Sequence, residues 1–262
     1  MGKIFIGTSG WVYPHWKSLF YPEDLPEKEW LRFYADHFST VELNSSFYHL
    51  PKEKTFKGWY DRTPDDFVFA VKGSRFITHV KKLKNCREPL ENLLQAAANL
   101  REKLGPVFFQ LPSSFEANPE RLRAFIKLLP DKEQPCQANP KGLFFKSPTL
   151  RVKRDWRFAF EFRHSSWFTD EIYAILRKAN CALIASDTPS YPYVEVPTAD
   201  FMYLRLHGHE QLYASNYSQK QLKEYVEKIK EWRKVGDVFV FFDNDFEANA
   251  VKNAKELNEL LR

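Results

Sequence analysis

Short apolar runs rich in β-branched and aromatic residues recur along the chain at Ile4 to Gly7, Thr40 to Leu43, Phe67 to Lys72, Val107 to Leu111, Arg157 to Phe162, Ala182 to Asp187, Met202 to His207 and Val238 to Asp243. Between most of them the apolar spacing becomes helical, over Glu27 to His37, Arg87 to Leu104, Pro119 to Leu129, Asp170 to Ala179, Ser218 to Lys234 and Glu247 to Leu261. Strand alternating with helix predicts an α/β fold with a parallel sheet, and eight such units predict closure into a single irregular (β/α)8 barrel of the TIM type. Asn118 before Pro119, Thr169 before Asp170, and Ser218 with Gln221 three residues on are helix-start signals. Pro189, Pro192 and Pro197 leave no room for a long helix between strands six and seven, so that helix is expected to be reduced or absent. One domain over residues 1–262 is expected, with an irregular excursion at 131–155 below the barrel, on the face opposite the catalytic loops.

Side chains alternate in and out along a barrel strand, so parity names the residues that meet at the axis. It places Glu42 and Asn44 inward from strand two, Lys72 from strand three, Gln110 from strand four, Glu161 and Arg163 from strand five, Asp187 from strand six, and Arg205 and His207 from strand seven. All lie near the C-terminal strand ends, where barrels of this kind carry their chemistry. Small residues at Ala70, Ala159 and Ala185 leave space beneath Lys72, Glu161 and Asp187. The loops at the same end hold Trp11, Tyr13, Tyr48, Trp167, Tyr213 and Asn244, rings and an amide suited to a flat ligand.

Converging ionisable groups shift one another's pKa and can act as acids, bases or anion clamps. Glu161, read as a partly solvated carboxylate, and His207 are the expected proton-exchanging pair, with Asp187 and Lys72 as further catalytic candidates. Lys72 also admits a Schiff-base role, since burial lowers a lysine's pKa, though the nearby carboxylates oppose that shift. Gly7-Thr8-Ser9-Gly10 is not a nucleophile elbow, so Ser9 with His207 and Asp187 is not read as a triad. Glu42, Glu161, Asp187 and His207 could ligate a metal, but Lys72, Arg163 and Arg205 share their axis, so no metal site is assigned.

The net charge of +5 arises from 39 basic against 34 acidic residues, which permits an anionic partner without demanding one. Cys86, Cys136 and Cys181 form neither a disulfide framework nor a zinc motif. No apolar stretch approaches a bilayer-spanning length, so the chain is read as cytoplasmic with no membrane partner. No cofactor is expected, and the oligomeric state is not encoded in any feature noted.

Ordered across nearly the whole chain stand Ile6-Gly7-Thr8-Ser9-Gly10-Trp11, Thr40-Val41-Glu42, Asn44-Ser45-Ser46-Phe47-Tyr48, Lys72, Gln110-Leu111-Pro112, Glu161-Phe162-Arg163-His164, Asp187, Arg205-Leu206-His207-Gly208, Tyr213 and Asn244-Asp245. In these motifs the chain resembles the YecE-like family of uncharacterised barrel proteins, which implies a fold and a site but no reaction. Asp243 stands where similar proteins often carry Asn. The leading expectation is an enzyme acting on a small anionic, ring-bearing ligand such as a sugar phosphate or nucleotide, with Arg163 and Arg205 clamping the anion. The alternatives are a nucleic-acid-binding protein or endonuclease-like phosphodiesterase, with or without a metal, and a non-catalytic barrel plugged by self-paired charges.

Overall fold

A computed structural model describes residues 1–130 and 156–262; the 131–155 excursion lies outside the described residues. Eight parallel strands, β1 (Ile4–Thr8), β2 (Thr40–Leu43), β3 (Val68–Lys72), β4 (Leu104–Gln110), β5 (Phe158–Glu161), β6 (Cys181–Asp187), β7 (Phe201–Leu206) and β8 (Asp237–Phe242), pair in the order β1-β8-β7-β6-β5-β4-β3-β2. Around them stand α1 (Trp30–Ala35), the single turn α2 (Ser45–Tyr48), α3 (Glu53–Asp61), α4 (Arg87–Ala97), α5 (Pro119–Ile126), α6 (Asp170–Lys178), α7 (Gln219–Trp232) and α8 (Asn249–Leu260). The proline-bearing stretch between β6 and β7 holds no helix, as its composition dictates. None of these helices is long and apolar enough to cross a membrane.

Helix starts follow local chemistry. The Asn118 side chain accepts from the Arg121 N–H, Thr169 accepts from Ile172, and Ser218 and Gln221 close a reciprocal capping box. Helix α3 had no sequence expectation behind it. It follows Pro51, contains Gly58, and buries only Phe56 and Trp59, three residues apart, so its apolar stripe is too short to read as periodic.

Two buried layers result. Ala70, Phe108, Ala159, Ala182, Ile184, Phe201, Tyr203, Phe239 and Phe241 fill the barrel, while a larger shell packs the strands' outer faces on the helices. The barrel closes between β1 and β2 with hardly any ladder, through one parallel bridge joining Ser9 to Glu42. Gly7 makes that seam feasible: a Cβ there would lie 2.1 Å from the Thr40 carbonyl oxygen. Tyr34 of α1 staples the same seam, its hydroxyl accepting from the Thr8 N–H at 2.9 Å and donating to the Thr40 carbonyl at 3.1 Å.

Gly7→Ala should therefore force the strands apart and cost about 1–3 kcal/mol or more. Denaturant unfolding checks this, and a cost below about 0.5 kcal/mol would show that the seam tolerates the extra methyl.

Candidate functional site

Arg205 lies at the centre of the C-terminal end of the barrel, 1% exposed and held charged by the carboxylates around it. Its Nε donates to Glu42 Oε2 at 2.9 Å, and its Nη2 to Glu42 Oε1 at 2.7 Å, Asp243 Oδ2 at 3.1 Å and Ser9 Oγ at 3.1 Å. The remaining nitrogen, Nη1, donates to Glu161 Oε2 at 2.5 Å and faces His207 Nε2 at 3.3 Å. Tyr203 from below gives its hydroxyl proton to Glu42 at 2.8 Å, Ser9 donates to the same carboxylate, and Phe108 presents its ring to the guanidinium at 5.2 Å. All five guanidinium N–H groups thus have acceptors inside the protein. Arg205 cannot serve as half of an anion clamp in this arrangement.

Glu161 is fully buried, which corrects the expectation of a partly solvated carboxylate. Burial alone would raise its pKa, but Arg163 and Arg205 overcome that and hold it well below the usual carboxylate range. Arg163 donates from Nε to Glu161 at 2.7 Å, from Nη2 to Gln110 Oε1 at 2.8 Å and from Nη1 to the Tyr191 hydroxyl at 3.3 Å. Three of its five N–H groups are so engaged, and its side chain remains 12% exposed at the rim. Asp243 completes the floor. Its Oδ2 lies 2.8 Å from His207 Nδ1, close enough for an ion pair though off the line of a straight hydrogen bond. Burial opposes its ionisation, but Arg205 and His207 hold its pKa down.

Lys72 differs from its neighbours. Among the described residues nothing accepts a hydrogen bond from its ammonium, no carboxylate pairs with it, and its Nζ sits 4.6 Å from the centre of the Phe47 ring. Only 9% of the residue is exposed. Burial, reinforced by the Arg205 charge, lowers its pKa to about 8 against the pull of Glu161, Glu42 and Asp243. His79 packs edge-on against the same Phe47 ring, and burial with Arg75, Arg163 and Lys72 nearby lowers its pKa to about 4, leaving a neutral imidazole.

Three expected residues stand elsewhere, and a fourth, Tyr213, stays at the rim. Parity read from the sequence puts Asp187 inside; β6 instead directs Ala182, Ile184 and Ser186 inward and packs Leu183 and Ala185 in the outer shell. Asp187 accordingly points out, accepting from the Tyr225 hydroxyl of α7 at 2.6 Å and lying 2.9 Å from His209 Nδ1. A parallel strand buried on both faces offers two apolar registers, and nothing in β6 chooses between them. Trp167 is fully buried, stacked on Phe162 at 4.6 Å with its Nε1 donating to the Phe115 carbonyl, so it builds the core and not a ligand wall. Asn244 also turns outward and ties its loop to the Ser215 carbonyl and to Asn253 of α8. Tyr213 caps the rim edge-on to His207 from a left-handed backbone with φ of 63°.

Trp11, Tyr13, Asn44 and Tyr48 do meet, with Ser9 and Trp59, around a cavity of about 370 Å³. Asn44 Nδ2 donates to Ser9 Oγ at 3.1 Å, and its Oδ1 has no partner. Tyr48, 71% exposed, joins this cavity to the Lys72 side through Phe47, whose ring lies 5.0 Å from its own. The sequence pattern assigns no site role to Ser9, Asp243, Tyr203, Tyr191 or His79, although parity does turn Tyr203 inward beside Arg205. Parity in β8, running Phe239, Phe241, Asp243, could have found Asp243; Tyr191 sits in an irregular loop and carries no such signal. Among the described residues no group of three or more His, Cys, Asp or Glu side chains is arranged to hold a metal ion. Arg205 fills the space between Glu42, Glu161 and Asp243 where one would need to sit.

Glu161→Gln should destabilise the fold by about 3–5 kcal/mol, because two buried guanidinium groups lose a partner. Since the folded pKa lies below the unfolded value near 4.3, the wild-type contribution is complete above about pH 4.3 and is lost as the pH falls toward the folded value. Denaturant midpoints against pH check both: wild type should lose stability steeply in acid, and Glu161→Gln should show a flatter acid limb.

Comparison with known proteins gives a consistent result. The profile of a family described as "Protein of unknown function DUF72" matches residues 5–262. UPF0759 protein YunF of Bacillus subtilis is 26% identical over 292 aligned positions, covering 98% of this chain and 94% of its own. UPF0759 protein YecE of Escherichia coli is 33% identical over 130 residues, 48% of this chain and 44% of its own. A DUF72 family protein of Thermotoga maritima, solved by crystallography, superposes with a TM-score of 0.80 at 29% identity over 99% of both chains. One from Enterococcus faecalis gives 0.74 at 18% identity, covering 100% of this chain and 98% of that one, a likeness of fold alone.

Proposed function

Because the chain belongs to the DUF72 family, whose description names no reaction, we propose a function from the site itself: an enzyme acting on a small anionic, ring-bearing ligand at the barrel mouth. The observation that carries this reading is Lys72, a largely buried amine with no partner among the described residues, above a floor whose other charges are already paired. Burying an unpaired ammonium costs stability, and barrels place such costs at the ends of strands that carry chemistry. Arg163, with two N–H groups uncommitted and its edge at the rim, offers the anion a bidentate partner that Arg205 cannot. The 370 Å³ cavity walled by Trp11, Tyr13, Tyr48 and Trp59 falls within the size range of ligand pockets and has flat faces for a ring. Lys72, with a pKa near 8, exchanges protons close to neutral pH without assistance from the floor.

Two expected outcomes test the reading. Calorimetry with inorganic phosphate, a sugar phosphate and a nucleoside monophosphate should detect binding of at least one, weakened tenfold or more by Arg163→Lys. No binding, or binding indifferent to that change, would overturn it, and a steeply salt-dependent affinity for duplex DNA would favour the polymer reading instead.

Lys72→Met should abolish turnover while raising stability by roughly 1–3 kcal/mol at neutral pH. The folded pKa of about 8 lies below the unfolded value near 10.4, so the penalty is complete below about pH 8 and is relieved as the pH rises toward 10.4. Wild type should therefore gain stability across that interval and Lys72→Met should not. Thermal unfolding at pH 7 and pH 10 reads the difference, and a Lys72→Met variant less stable than wild type would show that the ammonium is paired.

A further inference from the structure

We propose that Lys72 is a nucleophile, forming an imine with the carbonyl carbon of an aldehyde or ketone that also carries an anionic group, such as the open-chain form of a sugar phosphate. The proposal rests on the reading above and narrows its substrate class from any anionic ring to one that opens to a carbonyl.

An imine-forming lysine needs an amine that is neutral for much of the time, free of hydrogen bonds that tie up its lone pair, and shielded from bulk water. Lys72 meets each condition. Its Nζ contacts ring faces, Phe47 at 4.6 Å and Phe108 at 5.9 Å, and no acceptor among the described residues. Ala70, two residues before it on β3, lines the barrel interior below it, and Phe108 of β4 stands in register beside it. Lys103, which is also buried, provides the contrast: its Nζ donates to the Tyr60 and Thr63 carbonyls at 2.8 and 2.7 Å and is spent on structure. Burial, helped by Arg205 and opposed by Glu161, Glu42 and Asp243 from the surrounding strand ends, leaves Lys72 half neutral near pH 8.

The step balances without a further reagent. The nitrogen lone pair forms the C–N bond while the carbonyl π pair moves to oxygen. That oxygen collects two protons, one from the nitrogen and one from solvent, and departs as water. A neutral amine, a carbonyl and a proton thus give a protonated imine and water. The Arg163 edge, 12% exposed at the rim of the same barrel end, then holds the anionic end of the molecule.

Reductive trapping tests the proposal. The full chain is incubated with glycolaldehyde phosphate or ribose 5-phosphate and cyanoborohydride, and the adduct is mapped by peptide mass spectrometry. One adduct at Lys72 is expected, forming at least tenfold faster than labelling of any exposed lysine, accelerating as the pH rises through about 8, and suppressed by inorganic phosphate. Folded Lys72→Met and Lys72→Arg variants, verified by thermal unfolding, should lose this adduct and keep only the slow background. Labelling spread over exposed lysines at equal rates in wild type and variants overturns the imine. If calorimetry then finds either sugar phosphate bound without an adduct, the nucleophile falls and the anionic-ligand reading stands; if nothing binds, both fall.

Discussion

A guanidinium buried to 1% exposure at the centre of a barrel demands negative charge from several directions, and the architecture answers with carboxylates from three places around the ring. Glu42 comes from β2, Glu161 from β5, and Asp243 from the residue that follows β8. Each is in turn tied to something else: Glu42 to Ser9 and Tyr203, Glu161 to Arg163, Asp243 to His207. The closure of the barrel shares in this arrangement, since the Ser9–Glu42 bridge is both the seam between β1 and β2 and a part of the Arg205 coordination. Removing one partner leaves the others as uncompensated buried charges, and that is costlier than never having had the network. The floor is therefore best understood as structure.

Much of this was legible in the sequence. Eight apolar runs and the intervening helical periods predict the barrel, and the Pro189 to Pro197 stretch marks the missing helix. Parity placed Glu42, Lys72, Gln110, Glu161, Arg163, Arg205 and His207 together correctly, because their strands alternate bulky and small or apolar and polar residues. Parity failed on β6, where Ala182, Leu183, Ile184 and Ala185 suit either face, and it carried Asp187 to the wrong side. The pairing within the ring was beyond reach. Strand period shows that Arg163 and Arg205 both face the axis, but which carboxylate each grips depends on register across strands far apart in the chain. Hence two arginines that look equivalent in the sequence differ in the fold: one is exhausted, the other keeps a free edge.

That difference separates the mouth into two layers. Below, the charges are matched and every N–H of the Arg205 guanidinium is taken up. Above lie Lys72, the Arg163 edge, neutral His79 and the aromatic cavity, all with capacity left over. A reaction at this site would draw on the upper layer for contact, with burial and the Arg205 charge depressing the lysine pKa against the pull of the floor carboxylates, and on the lower layer for a fixed, preorganised scaffold that does not touch the substrate.

The chemistry open to this barrel mouth depends on the state of one amine. Direct titration of the Lys72 Nζ by NMR, with isotope-labelled lysine and assignment through the Lys72→Met spectrum, measures it without presuming any substrate. An ionisation near pH 8 that moves upward when phosphate is added is the predicted result, since an anion at the rim favours the charged form. A value at or above the ordinary lysine pKa near 10.4, unmoved by phosphate, would contradict it and would mean that the ammonium is paired within the floor.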